Sequence, residues 1–223
     1  MICDFIKTQT IKDTLNLNRI LMVNINLEYP MMSGYDYTTS RFNMYYKQRA
    51  HRSSYYARIK LYPQAVKQYQ FAKSQNFPFN AYELVQAFET TYCKKPIISL
   101  YYDQYEYTGG AHGNTVRTGN TWDLNKASLI NLSDLFAKDY DYKKVIIKAV
   151  EAEAQRRKIS GKVDYFDNLN ENIVKFYDDK NFYLSENGVV VFYPLYTIAP
   201  YVAGIQTFTV PWLLFGNSLK IKP

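Results

Sequence analysis

The chain has 223 residues, 47% of them hydrophobic and 17% aromatic, with 23 tyrosines and a net charge of +7. This length suffices for one domain or two small ones, and the lack of any apolar run of about 18 residues excludes a membrane-spanning helix. No signal peptide is recognisable after Met1, so a cytoplasmic location stays open.

The few cysteines and histidines limit the metal chemistry of the chain. Cys3 and Cys93 are too few for a disulfide framework and too distant in sequence for a compact metal motif, so they form either one disulfide or two free thiols. His51 and His112 alone cannot build a multi-histidine zinc site. Since phosphate-loop, dinucleotide and Gly-x-Ser-x-Gly patterns are also absent, the sequence predicts no metal and no cofactor.

The positive charge is concentrated in one segment. Between Tyr37 and Tyr82 there is no Asp or Glu, whereas eight residues are Lys or Arg. Without these eight, 27 − 8 = 19 basic residues face 20 acidic ones, a net charge of −1. The segment therefore carries the whole positive excess. Its basic residues are Arg41, Lys47, Arg49, Arg52, Arg58, Lys60, Lys67 and Lys73.

The chain is predicted to begin with a strand and a long helix. Residues 11–30 are expected to be extended, because apolar and polar residues alternate there with a period of two, and Pro30 is expected to end the strand. A helix is predicted over about 41–73, kinked or restarted at Pro63. The residues that recur at helical spacing and are predicted to face the core are Tyr55, Ile59, Tyr62, Val66 and Tyr69.

The remaining face of this helix carries the basic residues, interleaved with tyrosines. Such a face is either a solvated helix surface or a docking surface for a polyanion such as nucleic acid, a wall polymer or an anionic lipid surface. The docking interpretation predicts that a ligand contacts Arg41, Tyr45, Arg49, Arg52 and Tyr56.

Three strands are predicted next, at about 82–92, 97–107 and 115–124, as an antiparallel meander. Asp103 and Glu106 are three residues apart in the middle strand, so they fall on opposite faces and are a poor pair of catalytic carboxylates.

The turn after the middle strand reads Tyr-Thr-Gly-Gly-Ala-His-Gly, from Tyr107 to Gly113. Its glycine density implies positive φ angles or a close backbone approach. His112 either caps the turn through a backbone hydrogen bond or acts as a general base with Asp103 or Asp123. We therefore add Tyr105, Tyr107 and His112 to the predicted ligand-binding residues. The weak catalytic candidates are His112 and Asp103.

The second half of the chain is predicted to mix helices and strands. A helix from about 141 to 158 ends at Gly161, and Asn187-Gly188 predicts a hairpin with strands on either side. Residues 206–212 are predicted to form the last strand. The whole pattern predicts an α+β fold, with antiparallel sheets and helices packed on one side.

Four stretches, which follow one another along the chain, resemble one bacterial module. Together they are similar to the extracellular module of RsiV-type anti-sigma factors and to the N-terminal part of PdaC-type peptidoglycan deacetylases. The strings Tyr-Thr-Gly-Gly-Ala-His-Gly and Ala-Pro-Tyr-Val-Ala-Gly are the most specific, and many members of the family are uncharacterised. The stretches are Tyr29-Pro30 before a helix, Ser99–Gly113, Leu132–Phe136, and Phe182–Leu184 through Ala199–Ile205 to Trp212.

The resemblance implies a PdaC-like N-terminal subdomain at 1–127 and an RsiV-like C-terminal subdomain at 128–223. It implies a binding or sensing module, extracellular or in the cell envelope of a Gram-positive bacterium, and more a binding protein than an enzyme. In the anti-sigma family this module binds lysozyme. The membrane helix of that family and the catalytic domain of the deacetylases are not found in this sequence, so deacetylase activity is not expected.

The net positive charge of the chain favours some of the partners suggested by this family over others. Many lysozymes are strongly basic, so like-charge repulsion disfavours a lysozyme as the ligand. A wall glycan or anionic wall polymer suits the basic, tyrosine-containing helix better, and nucleic acid ranks lower because no nucleic-acid-binding motif accompanies the charge. We therefore expect a non-catalytic envelope-binding module, with a hydrolase using His112 or a nucleic-acid-binding protein using residues 41–73 as alternatives.

Overall fold

The computed structural model describes residues 3–221, which form an α+β fold with two sheets, as predicted from the sequence. No helix in this range is long and apolar enough to cross a membrane. Cys3 and Cys93 are both disulfide-bonded. The strands are β1 (Ile6–Leu17), β2 (Ile20–Met32), β3 (Tyr82–Lys94), β4 (Ile97–Tyr107), β5 (Asn114–Asp123), β6 (Ser128–Leu129), β7 (Phe182–Ser185), β8 (Gly188–Tyr193) and β9 (Gln206–Pro211). The helices are α1 (Tyr37–Tyr56), α2 (Tyr62–Ser74), α3 (Tyr142–Ile159) and α4 (Leu169–Lys175).

The larger sheet has six strands in the order β1-β2-β3-β4-β5-β6. β3, β4 and β5 are consecutive neighbours, as the predicted meander requires. β2 and β3 are parallel, with Val23 opposite Tyr82 and Leu27 opposite Gln86, so the sheet is not entirely antiparallel. The reason is the helical segment between these strands, because a long crossover returns the chain to the same end of the sheet.

The first predicted strand is a hairpin of β1 and β2. Asn18 and Arg19 form its two-residue turn, with φ angles of 47° and 70°. Turns with two positive φ values match the twist of antiparallel strands. Pro30 does not end β2, which continues to Met32. It is tolerated because the pairing of β2 with β3 ends at Leu27, so Pro30 has a strand neighbour on one side only.

The predicted basic helix is one continuous helical run made of α1, a π-helical turn at Ala57–Leu61, and α2. In the π turn, the Tyr62 N–H donates to the carbonyl of Ala57, five residues earlier. Pro63 follows in the first turn of α2. A proline ring clashes with the carbonyl four residues before it in a regular α-helix, and the wider π turn accommodates the ring without ending the run.

The inner face of this helical run differs in part from the predicted stripe. Tyr62, Val66 and Tyr69 pack against the core as predicted, but Tyr55 and Ile59 are 63% and 46% exposed. A stripe chosen by side-chain size overlooks the alanines, which let a helix lie close to a sheet. The buried residues of the inner face include Phe42, Tyr46, Ala50, Ala57, Leu61 and Ala65.

Two compact units divide the chain. The first unit contains residues 3–88 and 102–116, and the second contains 89–101 and 117–221. β3, β4 and β5 contribute residues to both units, and the division after Ala127 into two subdomains stays a prediction. In the first unit, β1, β2 and the helical run enclose a core that includes Val23, Ile25 and Leu61.

The second unit contains the smaller sheet, in the order β7-β8-β9, and α3. β7 and β8 form the predicted hairpin. α3 is capped by Asp141, whose side chain accepts a hydrogen bond from the Lys144 N–H at 3.1 Å, and the helix ends shortly before Gly161, as predicted. The core of this unit includes Ile146, Val191 and Phe208.

Candidate functional site

A side-chain cap fixes the start of α1. Asp36 accepts hydrogen bonds from the N–H of Thr39 at 2.9 Å and from its hydroxyl at 2.7 Å, and these bonds hold the pKa of Asp36 below its ordinary value. In the first turn of the helix, the Arg41 guanidinium lies 5.8 Å from the centre of the Tyr37 ring and donates to its hydroxyl at 3.3 Å. The first predicted ligand-binding arginine is therefore positioned by the capped turn.

The side of α1 turned away from the sheet, the outer face of α1, combines basic and apolar side chains. Arg41 lies on it by helical spacing, next to a shallow depression of about 590 Å³. Met44 is 51% exposed and, like Tyr55, lies among the charged residues. The depression is lined by Met44, Lys47, Gln48, His51, Arg52 and Tyr55.

Most of the basic side chains in the segment between Tyr37 and Tyr82 form no ion pair within residues 3–221. Arg58 is the exception, because it forms an ion pair with Asp13 of β1. Exposed like charges without local counter-charges create a positive field that attracts anions. Within residues 3–221, the exposed basic residues of the segment that form no ion pair are Arg41, Lys47, Arg52, Lys60, Lys67 and Lys73.

One flank of α1 lies against β4. Its contacts fall at helix positions i, i+4 and i+7 and at every second strand residue, so one helix side meets one strand face. Burial, and then the negative charge of Glu106 and the hydrogen bond to it, raise the pKa of Tyr56. Arg49 and Tyr56 are thus engaged in the helix–strand contact, and their part in ligand binding stays a prediction. The contacts are the Arg49 guanidinium over the Tyr102 ring at 4.4 Å, Ser53 Oγ donating to Gln104 Oε1 at 2.9 Å, and the Tyr56 hydroxyl with Glu106.

The opposite face of β4 leads into the glycine-rich turn. Asp103, Tyr105 and Tyr107 alternate with the residues that meet α1 and so belong to this other face. The Tyr107 hydroxyl donates to the carbonyl of Gly110 at 3.0 Å. His112 is exposed, and its Nδ1 donates to the carbonyl of Gly113 at 3.0 Å. This bond is the turn-capping alternative considered for His112, and it requires the tautomer with the proton on Nδ1.

The eight predicted ligand-binding residues therefore do not share one surface. The outer face of α1 gathers two of them and adds Met44, Lys47, Gln48, His51 and Tyr55, which sequence reasoning missed. A helical projection through Arg41 and Arg52 would have found these five, because they recur at spacings of three and four. Arg41 and Arg52 lie on the outer face of α1. Arg49 and Tyr56 contact β4, and Tyr45 contacts the buried ring of Tyr46. Tyr105, Tyr107 and His112 lie on the other face of β4 and in the turn that follows it.

Solved structures support the fold. The chain is similar to a DUF3298-family protein of Bacteroides fragilis, with a TM-score of 0.70 and 20% identity, over 98% of this chain and 94% of that one. It is also similar to a DUF3298-family protein of Pseudomonas aeruginosa, with a TM-score of 0.62 and 14% identity, over 96% of this chain and 94% of that one.

Sequence comparison gives two family matches and a named relative. Residues 133–213 match the family "Protein of unknown function (DUF3298)", and residues 20–115 match the family "Deacetylase PdaC". The chain is 24% identical over 139 residues to the peptidoglycan-N-acetylmuramic acid deacetylase PdaC of Bacillus subtilis. That match spans 62% of this chain and 29% of the deacetylase. The finer likeness to anti-sigma factors stays a prediction. A segment that matches the PdaC family model is thus followed along the chain by one that matches the DUF3298 model, which agrees at the family level with the resemblance found in the sequence.

Proposed function

We propose that this chain is a non-catalytic module that binds an anionic polymer of the bacterial cell envelope through the outer face of α1. The observation that carries the proposal is the set of exposed basic side chains that form no ion pair within the described residues, including Lys47 and Arg52. A polymer with regularly spaced negative charges gains from several such contacts at once, because each contact releases counterions from the polymer.

Apolar side chains on the same face support a polymer over a small anion. Met44 and Tyr55 border the basic residues of the depression, and a tyrosine ring offers an apolar surface together with a polar tip. A polymer that carries sugar or glycerol groups between its charges would use both kinds of contact.

Two observations support a location outside the cytoplasm. Both cysteines are disulfide-bonded, and disulfides persist mainly in oxidising compartments. The PdaC relative is named for its action on peptidoglycan, a component of the cell wall. These observations support our proposal that the module acts in the envelope or the extracellular space.

Calorimetric titration of a purified teichoic acid with the protein tests the proposal, with the affinity measured at about 50 and at about 200 mM salt. We expect the higher salt to weaken binding by about tenfold or more. The double variant Lys47→Glu, Arg52→Glu should weaken binding by at least about tenfold at low salt. Its control, Lys144→Glu with Lys148→Glu, makes the same change of charge on exposed residues of α3 and should keep most of the affinity.

Three outcomes would overturn the proposal. Equal losses in both double variants would show that net charge alone drives association. Salt-resistant capture of a lysozyme, without binding of the polymer, would replace the polymer with a protein partner. Binding of nucleic acid alone would remove the envelope assignment.

A further inference from the structure

The second unit contains a polar cleft of about 510 Å³ that is separate from the outer face of α1. Its volume lies within the range of roughly 300–1,000 Å³ typical of small-molecule sites. Leu129 supplies an exposed apolar side chain to the wall of the cleft, whereas Phe182 is buried in the core of the unit. The polar side chains that matter for recognition are those of Thr118, Asn131, Ser133, Asp178, Asp179 and Lys180.

A carboxylate in this cleft is held in place by a tyrosine. The Tyr142 hydroxyl donates to Asp179 Oδ2 at 2.8 Å, and burial followed by this bond raises the pKa of Tyr142 to about 12. The Tyr177 hydroxyl is enclosed and has no hydrogen bond of normal geometry within residues 3–221, although it lies close enough for Asp179 to raise its pKa further after burial. The hydrogen bond from Tyr142 therefore fixes the orientation of the Asp179 carboxylate, which reduces the entropy lost when a ligand binds it.

Other polar groups of the cleft remain available. The side chain of Asn131 accepts the Asp134 N–H in a capping box, which leaves its amide NH₂ group as a donor. The hydroxyls of Thr118 and Ser133 make no hydrogen bond within residues 3–221. The cleft thus offers donors, acceptors and hydroxyls that serve as either.

The charge of the lining selects the class of ligand. Asp178 and Asp179 outweigh Lys180, so the cleft repels phosphate and carboxylate groups. Within the described residues, no group of three or more acidic, histidine or cysteine side chains is arranged to hold a metal ion. A neutral molecule with many hydroxyl groups matches the remaining chemistry, because each of its hydroxyls both donates and accepts.

We propose that this cleft binds a neutral sugar of a glycan chain. Sugar hydroxyls would pair with Asp179 and the groups beside it, and the C–H face of the ring would lie on Leu129. The site would complement the outer face of α1, which attracts anions, and its existence does not depend on that proposal.

Calorimetric titration with the N-acetylglucosamine tetramer tests the cleft. We expect saturable binding that changes little with salt, because no net charge is neutralised. Ser133→Trp should abolish it by filling the cleft, since Ser133 is exposed and its side chain makes no hydrogen bond that would be lost. Asp179→Asn should weaken binding by about tenfold or more, as expected for the loss of a charge-assisted hydrogen bond.

The variants of the outer face serve as the matched control. Lys47→Glu with Arg52→Glu should leave tetramer binding unchanged, and Ser133→Trp should leave teichoic acid binding unchanged, so the two proposals fail separately. Lack of saturable binding at millimolar tetramer, or equal binding by wild type and Asp179→Asn, would overturn the neutral-sugar site. If Ser133→Trp lowers the melting temperature strongly, Asp179→Asn decides the outcome.

Discussion

Gly113 lies where any side chain would collide with β4. A Cβ atom at this position would be 2.5 Å from the carbonyl oxygen of Glu106 and 2.5 Å from the Tyr105 ring. A backbone carbonyl cannot rotate aside as a flexible side chain can. We therefore expect Gly113→Ala to lower the free energy of unfolding by about 1–3 kcal/mol, as measured by urea denaturation.

A control for Gly113→Ala lies in the same turn. Thr108 is exposed, so Thr108→Ala should change the free energy of unfolding by less than about 0.5 kcal/mol. If Gly113→Ala were equally harmless, the turn would have to move away from β4 freely, and the close approach would not be what requires glycine.

Individual contacts were only partly predictable from the sequence. The density of glycines indicated positive φ angles or a close approach, and both occur: Gly109 and Gly110 have positive φ angles, while Gly113 adjoins Tyr105. Which glycine does which depends on where β4 lies. The position of β4 also explains why Arg49 and Arg52 were wrongly predicted to share one basic face. The Arg49 guanidinium packs over the ring of Tyr102, which is distant in sequence, on the flank of α1 that faces β4.

At the scale of elements, the π turn explains how Pro63 is accommodated in a continuous helical run. Lys60 is an exposed residue of this turn, and deleting it removes the extra residue that widens the turn. In the resulting α-helix the Pro63 ring would meet the carbonyl four residues before it. We expect the deletion to lower the free energy of unfolding by about 3 kcal/mol or more, measured by urea denaturation followed by circular dichroism.

Adding Pro63→Ala to the deletion gives the matched test of this explanation. Without the proline ring, a regular α-helix is acceptable, so the combined variant should regain most of the lost stability. If it stays as unstable as the deletion alone, the extra residue serves the packing of the helical run and not the proline.

Glu153 links two arginines within α3. It accepts hydrogen bonds from Arg156 at 2.7 and 2.8 Å and from Arg157 at 2.7 Å. The bonds from Arg156, and then those from Arg157, hold the pKa of Glu153 at about 2. The Arg157 guanidinium also lies 4.6 Å from the centre of the Phe208 ring on β9, so the carboxylate helps to orient a contact between the helix and the smaller sheet.

The sign of the pH effect follows from this lowered pKa. An unfolded glutamate has a pKa near 4.5, so the stabilisation by Glu153 is present above pH 4.5 and is lost as the pH falls towards 2. Glu153→Gln should be less stable than wild type at pH 7 by up to about 1 kcal/mol, with no difference near pH 2. Urea denaturation at several pH values measures this, and a difference independent of pH would assign the effect to packing.

The spacing of apolar residues predicted which segments are strands or helices. It did not predict the turns between them or the helix face that packs against the core. The alternation in β2 marked a strand, and the hairpin before it was missed because Arg19 adopts a positive φ that arginine rarely takes. In the helical run, a search for large apolar residues selected Tyr55 and Ile59. The packed face uses Ala50 and Ala57, whose small side chains carry a weak hydrophobic signal.

At the scale of the whole molecule, charge and family were readable from the sequence, whereas the compact units were not. The net charge follows from a count, and the motifs behind the family resemblance are contiguous strings. The division into units is not contiguous, because residues 89–101 belong with 117–221 and residues 102–116 with 3–88. No change in amino-acid composition marks the points at which β3, β4 and β5 pass from one unit to the other.

The disulfide acts on the stability of the whole chain. Cys3 and Cys93 are both bonded, and closing a loop of about 90 residues lowers the entropy of the unfolded chain enough to stabilise the fold by about 2–4 kcal/mol. We expect Cys3→Ser with Cys93→Ser to lose this amount in urea denaturation. Wild type in excess reductant should match the variant, because both lack the cross-link. If reduction left wild type unchanged, the disulfide would not constrain the unfolded chain, and its support for an oxidising compartment would fall away.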